Sequence, residues 1–195
     1  MKLEAIQEAT IRLERAHAAL SILENANSTV KEMDSAWASF LLAANAIYSK
    51  LQQGAKRNRE SEAWFAQKRD IRANDPLLHY LHEARNSEEH SLEIIAAPGI
   101  VSLESLHEDV IVSNSDGIAR VDFKDNAGFR PGEPLAQLTI GVRIQAVKNQ
   151  RSRITIPVPA SHMGHAIQSC SAVEVTKLGL AYLENLVAEA AMLVK

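Results

Sequence analysis

Cysteine is almost missing from this sequence. Its one thiol, Cys170, cannot close an intramolecular disulfide, so the fold does not depend on an oxidising compartment and the cytoplasm is the expected setting. No uninterrupted apolar run reaches membrane-spanning length. The opening segment MKLEAIQEATIRLER is charged throughout, without the apolar core and small-residue cleavage site of a secretory leader, so a soluble protein with no membrane partner is expected. Aromatic residues are scarce, at 5% of the chain, and both tryptophans, Trp37 and Trp64, fall on apolar helical faces where core packing rather than base stacking is their expected use. Neither sign of charge dominates. With 21 Lys and Arg against 24 Asp and Glu, the formal charge of −3 argues against general coating of polyanions, which needs many cationic contacts to phosphate, but leaves room for a local basic patch. There is no phosphate-cradling glycine loop, no nucleophile elbow and no standard zinc spacing, which excludes P-loop, kinase and hydrolase-triad chemistry, and no cofactor is called for.

What is present is a helical first half. At 195 residues and 46% hydrophobic, the chain is long enough for one domain with a real core, or one domain carrying an insertion. Ile6, Leu13 and Leu20 form one stripe of a helix over about 3–25, with Ala16 and Leu23 beside it. Thr29 followed by Glu32 fits a capping box. Beyond it Met33, Trp37, Phe40, Leu41, Ala44, Ile47 and Leu51 repeat at three and four as one apolar face, ending near Gly54. A shorter helix holds Trp64 and Phe65. Asp75-Pro76 starts another over about 76–91, because the Asp accepts from unpaired first-turn amides and Pro gives up a donor that had no partner. Leu77, Tyr80, Leu81 and Ala84 share one face of that helix. His79, His82, Glu83, Asn86 and His90 cluster on the other, with Arg85 at its edge.

Past residue 92 the texture changes. Val110-Ile111-Val112, the turn residues Asn114 to Gly117, and Ile118 to Phe123 read as a hairpin. Leu138, Ile140, Val142, Ile144 and Ala146 alternate with polar or small residues. The alternation returns in Ile154, Ile156 and Val158 beyond Asn149-Gln150, which predicts a second hairpin, with Pro157 placing its last strand at an edge. From 171 to 194 Val175, Leu178, Tyr182, Leu186, Ala190 and Leu193 restore the helical period. The expected architecture is mainly α, α+β overall: an antiparallel helical bundle over 1–92, a small antiparallel sheet inserted over 93–170, and a closing helix over 171–195.

The run Arg85-Asn86-Ser87-Glu88-Glu89-His90 puts an Arg, an adjacent Asn and a His on one helix late in the bundle. It resembles the Arg-x4-6-His motif of the HEPN superfamily, and the resemblance extends over the bundle and closing helix but not the sheet. The resemblance implies metal-independent RNA cleavage of the toxin or defence kind, in which the ribose 2′-hydroxyl attacks the neighbouring phosphate and leaves a cyclic phosphate. His90 suits proton handling near neutral pH. Arg85 suits the charge on phosphorus, as a planar donor that stays ionised. Asn86 would position substrate or hold the imidazole in one tautomer. Because catalytic members of that superfamily join two motifs across a dimer interface, one motif per chain implies a homodimer with its axis near Asn86 and His90.

Read without the resemblance, the same residues also fit an Arg85 to Glu89 ion pair, a solvated Asn86, and a His90 that ends the helix where a cation is favoured. His82 is a candidate substrate contact. Arg143, Lys148, Arg151 and Arg153 lie on or beside the second predicted hairpin with no acidic residue among them, fitting either a phosphate backbone or a charge-protected edge. His79, His82, Glu83 and His90 raise a metal reading that the missing zinc spacings disfavour. His162 and His165 fit a polar loop. Two other functions stay open: a non-catalytic module using the same helix face for a nucleotide, an RNA, an antitoxin or another protein partner, and an assembly role for the sheet edge.

Overall fold

The computed structural model describes residues 1–90, 95–106, 110–115, 118–123, 134, 136–149 and 153–194. Helix α1 (Leu3–Glu24) and helix α2 (Val30–Ala55) form a long hairpin, followed by α3 (Arg59–Asn74) and α4 (Pro76–His90). Thr29 begins α2 with the expected capping box: its hydroxyl accepts from the Glu32 amide, and the Glu32 carboxylate accepts from the Thr29 amide at 2.7 Å. All seven residues of the expected α2 face are buried. Trp37, Phe40, Ile47 and Leu51 have no exposed surface, and each contributes about 1.5–3 kcal/mol by leaving water.

On α1 the buried stripe is smaller than its leucines suggest. Ala5, Ile6, Ala9, Ala16, Ala19 and Leu23 are buried, whereas Leu13 and Leu20 are only partly covered. Alanine lets the two backbones approach closely. At Gly54, where α2 passes the start of α1, an added Cβ would fall 2.9 Å from Met1 Sδ and closer still to Ala5 Cβ.

Asp75 ends α3 and begins α4. Its amide donates to Ile71 O at 2.9 Å and its carboxylate accepts from the Leu78 amide at 3.0 Å. Helix α4 is enclosed by α2, α3, α5 and the strand region. As a result its polar face is not the open one that its sequence suggests. Glu83 is 7% exposed and accepts a 2.7 Å bond from Asn149 Nδ2, and Tyr80 Oη donates to Gln145 O at 2.7 Å. These polar groups clasp the segments after β4, so they satisfy one another inside the fold instead of meeting water.

Among the described residues the strands form four two-stranded antiparallel ladders. Strand β1 (Ala96–Ser105) pairs with β4 (Ala136–Ile144), β2 (Val110–Ser115) with β3 (Ile118–Phe123), β5 (Val147–Lys148) with β6 (Thr155–Ile156), and β7 (Ser161–His162) with β8 (His165–Ala166). The β2–β3 hairpin is as expected. The second predicted hairpin is corrected: the long alternating strand β4 pairs back to β1, and only Val147–Lys148 meets Thr155–Ile156. The reason lies in β1, whose Pro98-Gly99 hides a strand. Glycine leaves room there for Arg143, since a Cβ at 99 would lie 2.8 Å from Arg143 Cδ on the paired strand and that side chain would have to shift.

Val142, Ile144 and Val147 join the helical core, so the inner face of this ladder is continuous with the bundle. The β2–β3 ladder instead makes its tertiary contacts chiefly with β1. Helix α5 (Ala172–Ala191), capped by Ser171 on the Glu174 amide, closes the bundle against α1 and α2. No helix among the described residues is long and apolar enough to cross a membrane.

Candidate functional site

Between α1 and α2 runs a groove of about 1110 Å³, and Arg85 of α4 reaches it. Its floor is built of small side chains, among them Ala18, Ala19, Ala36, Ala43, Ser35 and Ser39. Ile22 and Leu42, 42% and 46% exposed, give it an apolar surface. Arg12, Arg15, Lys31, Lys50 and Arg85 line it against a single carboxylate, that of Glu32, which is already engaged by Thr29. Glu8 offsets part of this charge from outside the lining, at 2.7 Å from Arg12 and 3.5 Å from Lys50. The groove is still cationic on a chain of net charge −3.

Arg85 is half-buried, and its Nη1 donates to Asn86 Oδ1 at 3.3 Å. A guanidinium is a planar, rigid set of N–H donors, a geometry that matches an oxyanion. Ser87 is buried beside it, and burial, with Asp34 second, pushes the Glu88 carboxyl above its ordinary range. The backbone of His90 is the last residue of α4, while its side chain and that of Glu89 lie outside the described residues. Five residues along a regular helix separate the α-carbons of Arg85 and His90 by about 140° around the axis and about 7.5 Å along it.

The other expected contacts are dispersed. His82 borders a separate small cavity of about 20 Å³ with Tyr48, Arg72 and Asn45. There its buried Nδ1 has no partner among the described residues, and burial, followed by the charge of Arg72, holds its pKa below the usual imidazole value. Arg143 is directed at Cys170, its Nε and Nη2 donating to Sγ at 3.2 and 3.1 Å. Lys148 is exposed on β5, paired with Thr155, and does not line the groove. Arg151 lies outside the described residues.

His162 belongs to the fold more than to a loop. Its Nδ1 sits 3.0 Å from Asp75 Oδ1, its ring packs edge-on against Tyr182 at 5.8 Å, and Met163 N donates to Asp75 Oδ2 at 2.7 Å. Burial pushes the Asp75 carboxyl up, but the bonds from Met163, His162 and Leu78 outweigh it and leave it below the usual carboxylate range. This network pins residues 161–163 to the start of α4.

The groove cations on α1 and α2 were not marked by any motif. No family model, curated protein or solved structure matches this chain.

Proposed function

We propose that this protein is a HEPN-like, metal-independent ribonuclease acting as a homodimer, with Arg85 as the phosphate-binding cation, Asn86 as its positioning neighbour and His90 as the proton-transfer group. The observation that carries the reading is the placement of Arg85. The first residue of the Arg-Asn-x-x-x-His run comes from an enclosed helix, donates to Asn86 and enters a groove of about 1110 Å³ that other cations line. A fixed guanidinium in a partly desolvated setting stabilises the added charge on a five-coordinate phosphorus more than the charge of the ground-state diester. The 140° divergence of Arg85 and His90 around α4 supports a composite site, because a second copy related by a two-fold axis can set its own motif opposite the first.

The test is cleavage of a mixed RNA pool in EDTA by wild type, Arg85→Ala and His90→Ala, with light scattering for the oligomeric state. Cleavage by a dimer giving cyclic phosphate ends, reduced about a hundredfold or more in each variant, is the expected result. A monomer, or cleavage equal in all three proteins, removes this assignment.

A further inference from the structure

We infer that the α1–α2 groove is the docking site for an acidic amphipathic helix of a partner protein. Three observations select this occupant.

The first is shape. The lining on α2 extends from Lys31 to Lys50, about 28 Å at 1.5 Å per residue, and on α1 from Arg12 to Ile22, about 15 Å. A floor of alanine and serine between two long helices lets a third backbone settle close, as a helix of about four turns does when it lies along a groove.

The second is surface chemistry. Ile22 and Leu42 are large aliphatic groups left 42% and 46% exposed within this same groove. They offer anchors for apolar side chains at helical spacing. Among the described residues no aromatic side chain lines the groove, which disfavours the stacking on which single-stranded nucleic acid relies.

The third is charge. Arg12 and Lys50 stand towards one end, Lys31 towards the other and Arg85 along the side, with Glu32 the one acid in the lining. A helix carrying Glu or Asp beside its apolar stripe meets opposite charge along its length, whereas a helix flanked by Lys or Arg would set cations against cations. A docked helix also covers Arg85. On the nuclease reading above, which this consequence alone rests on, the partner would hold that guanidinium away from phosphate.

The experiment uses the full chain and a panel of fluorescent synthetic helices, each with a Leu/Ile stripe at varied spacing, in Glu-flanked and Lys-flanked versions. A single-stranded RNA oligonucleotide is titrated in parallel. Members of the Glu-flanked panel bind wild type at least tenfold more tightly than their Lys-flanked counterparts. The double variant Arg15→Glu, Lys31→Glu reverses that preference, and Leu42→Asp, at an exposed position, weakens the acidic helices at least tenfold. Thermal melts confirm that the variants fold. Failure of every acidic helix to bind, binding unchanged by the charge reversal, or RNA binding abolished by the reversal with no helix bound would each overturn the proposal, the last assigning the groove to RNA. Helix binding is read without RNA, so loss of the nuclease reading leaves this result standing.

Discussion

Asp75→Ala removes the residue that ties three parts of the chain together, and its cost follows from the contacts it makes. Loss of the 3.0 Å bond to the Leu78 amide is loss of a helix cap, about 1 kcal/mol. Loss of the 2.7 Å bond from the Met163 amide to a buried charged acceptor adds about 1.5–3 kcal/mol. The expected total is about 3 kcal/mol, which for a domain of this size lowers the melting temperature by about 6–12 °C. Asp75→Asn keeps an acceptor for the cap but not the charge, and loses roughly half as much. The pH dependence has a definite sign. The folded carboxyl lies below its ordinary value, so its stabilisation is complete above the usual carboxylate range and is lost as pH falls through the folded pKa. The gap between wild type and Asp75→Ala in urea denaturation should therefore be widest near neutrality and narrow in acid. A loss below about 1 kcal/mol at pH 7, or a gap that widens on acidification, would show that the 161–163 segment is not held through this carboxylate.

Two further outcomes test the interior. His82 titrates below the ordinary imidazole value of 6.5 because it is buried near Arg72, so its folded form binds fewer protons than its unfolded form. Stability is retained above pH 6.5 and declines as pH falls; His82→Gln should flatten the decline between about pH 7 and 5, and an unchanged slope by chemical denaturation would remove His82 as its source. Thr176 is fully buried on α5 and its hydroxyl has no partner among the described residues, so Thr176→Val should raise stability by about 1 kcal/mol. A melting temperature below wild type would show that the hydroxyl is satisfied in solution.

How far the fold could be read depended on whether the controlling interaction was local. The Thr29–Glu32 box and the Asp75-Pro76 start act within four residues, and both helices begin where those signals stand. The α2 face was legible because 3.6-residue periodicity alone decides which side is covered. On helix α4 the histidine- and glutamate-bearing face fitted a cleft and a solvated surface equally well. Here Glu83 is matched by Asn149, 66 residues away, and nothing local announces such a partner. Strand β1 was hidden by Pro98-Gly99, and with it the true pairing of β4. Arg85 and Asn86 were legible as a motif. The groove was not, since it is made by small residues from two helices whose shared surface exists only after they pack.

The β2–β3 ladder has a consequence for how the molecule opens. A two-stranded hairpin is marginal by itself in water, and this one takes its tertiary support chiefly from β1. Its amides should exchange with solvent at a free energy below that of the bundle, through an excursion that leaves α1, α2 and α5 intact. Substitutions or labels within β2 and β3 should therefore cost the core little.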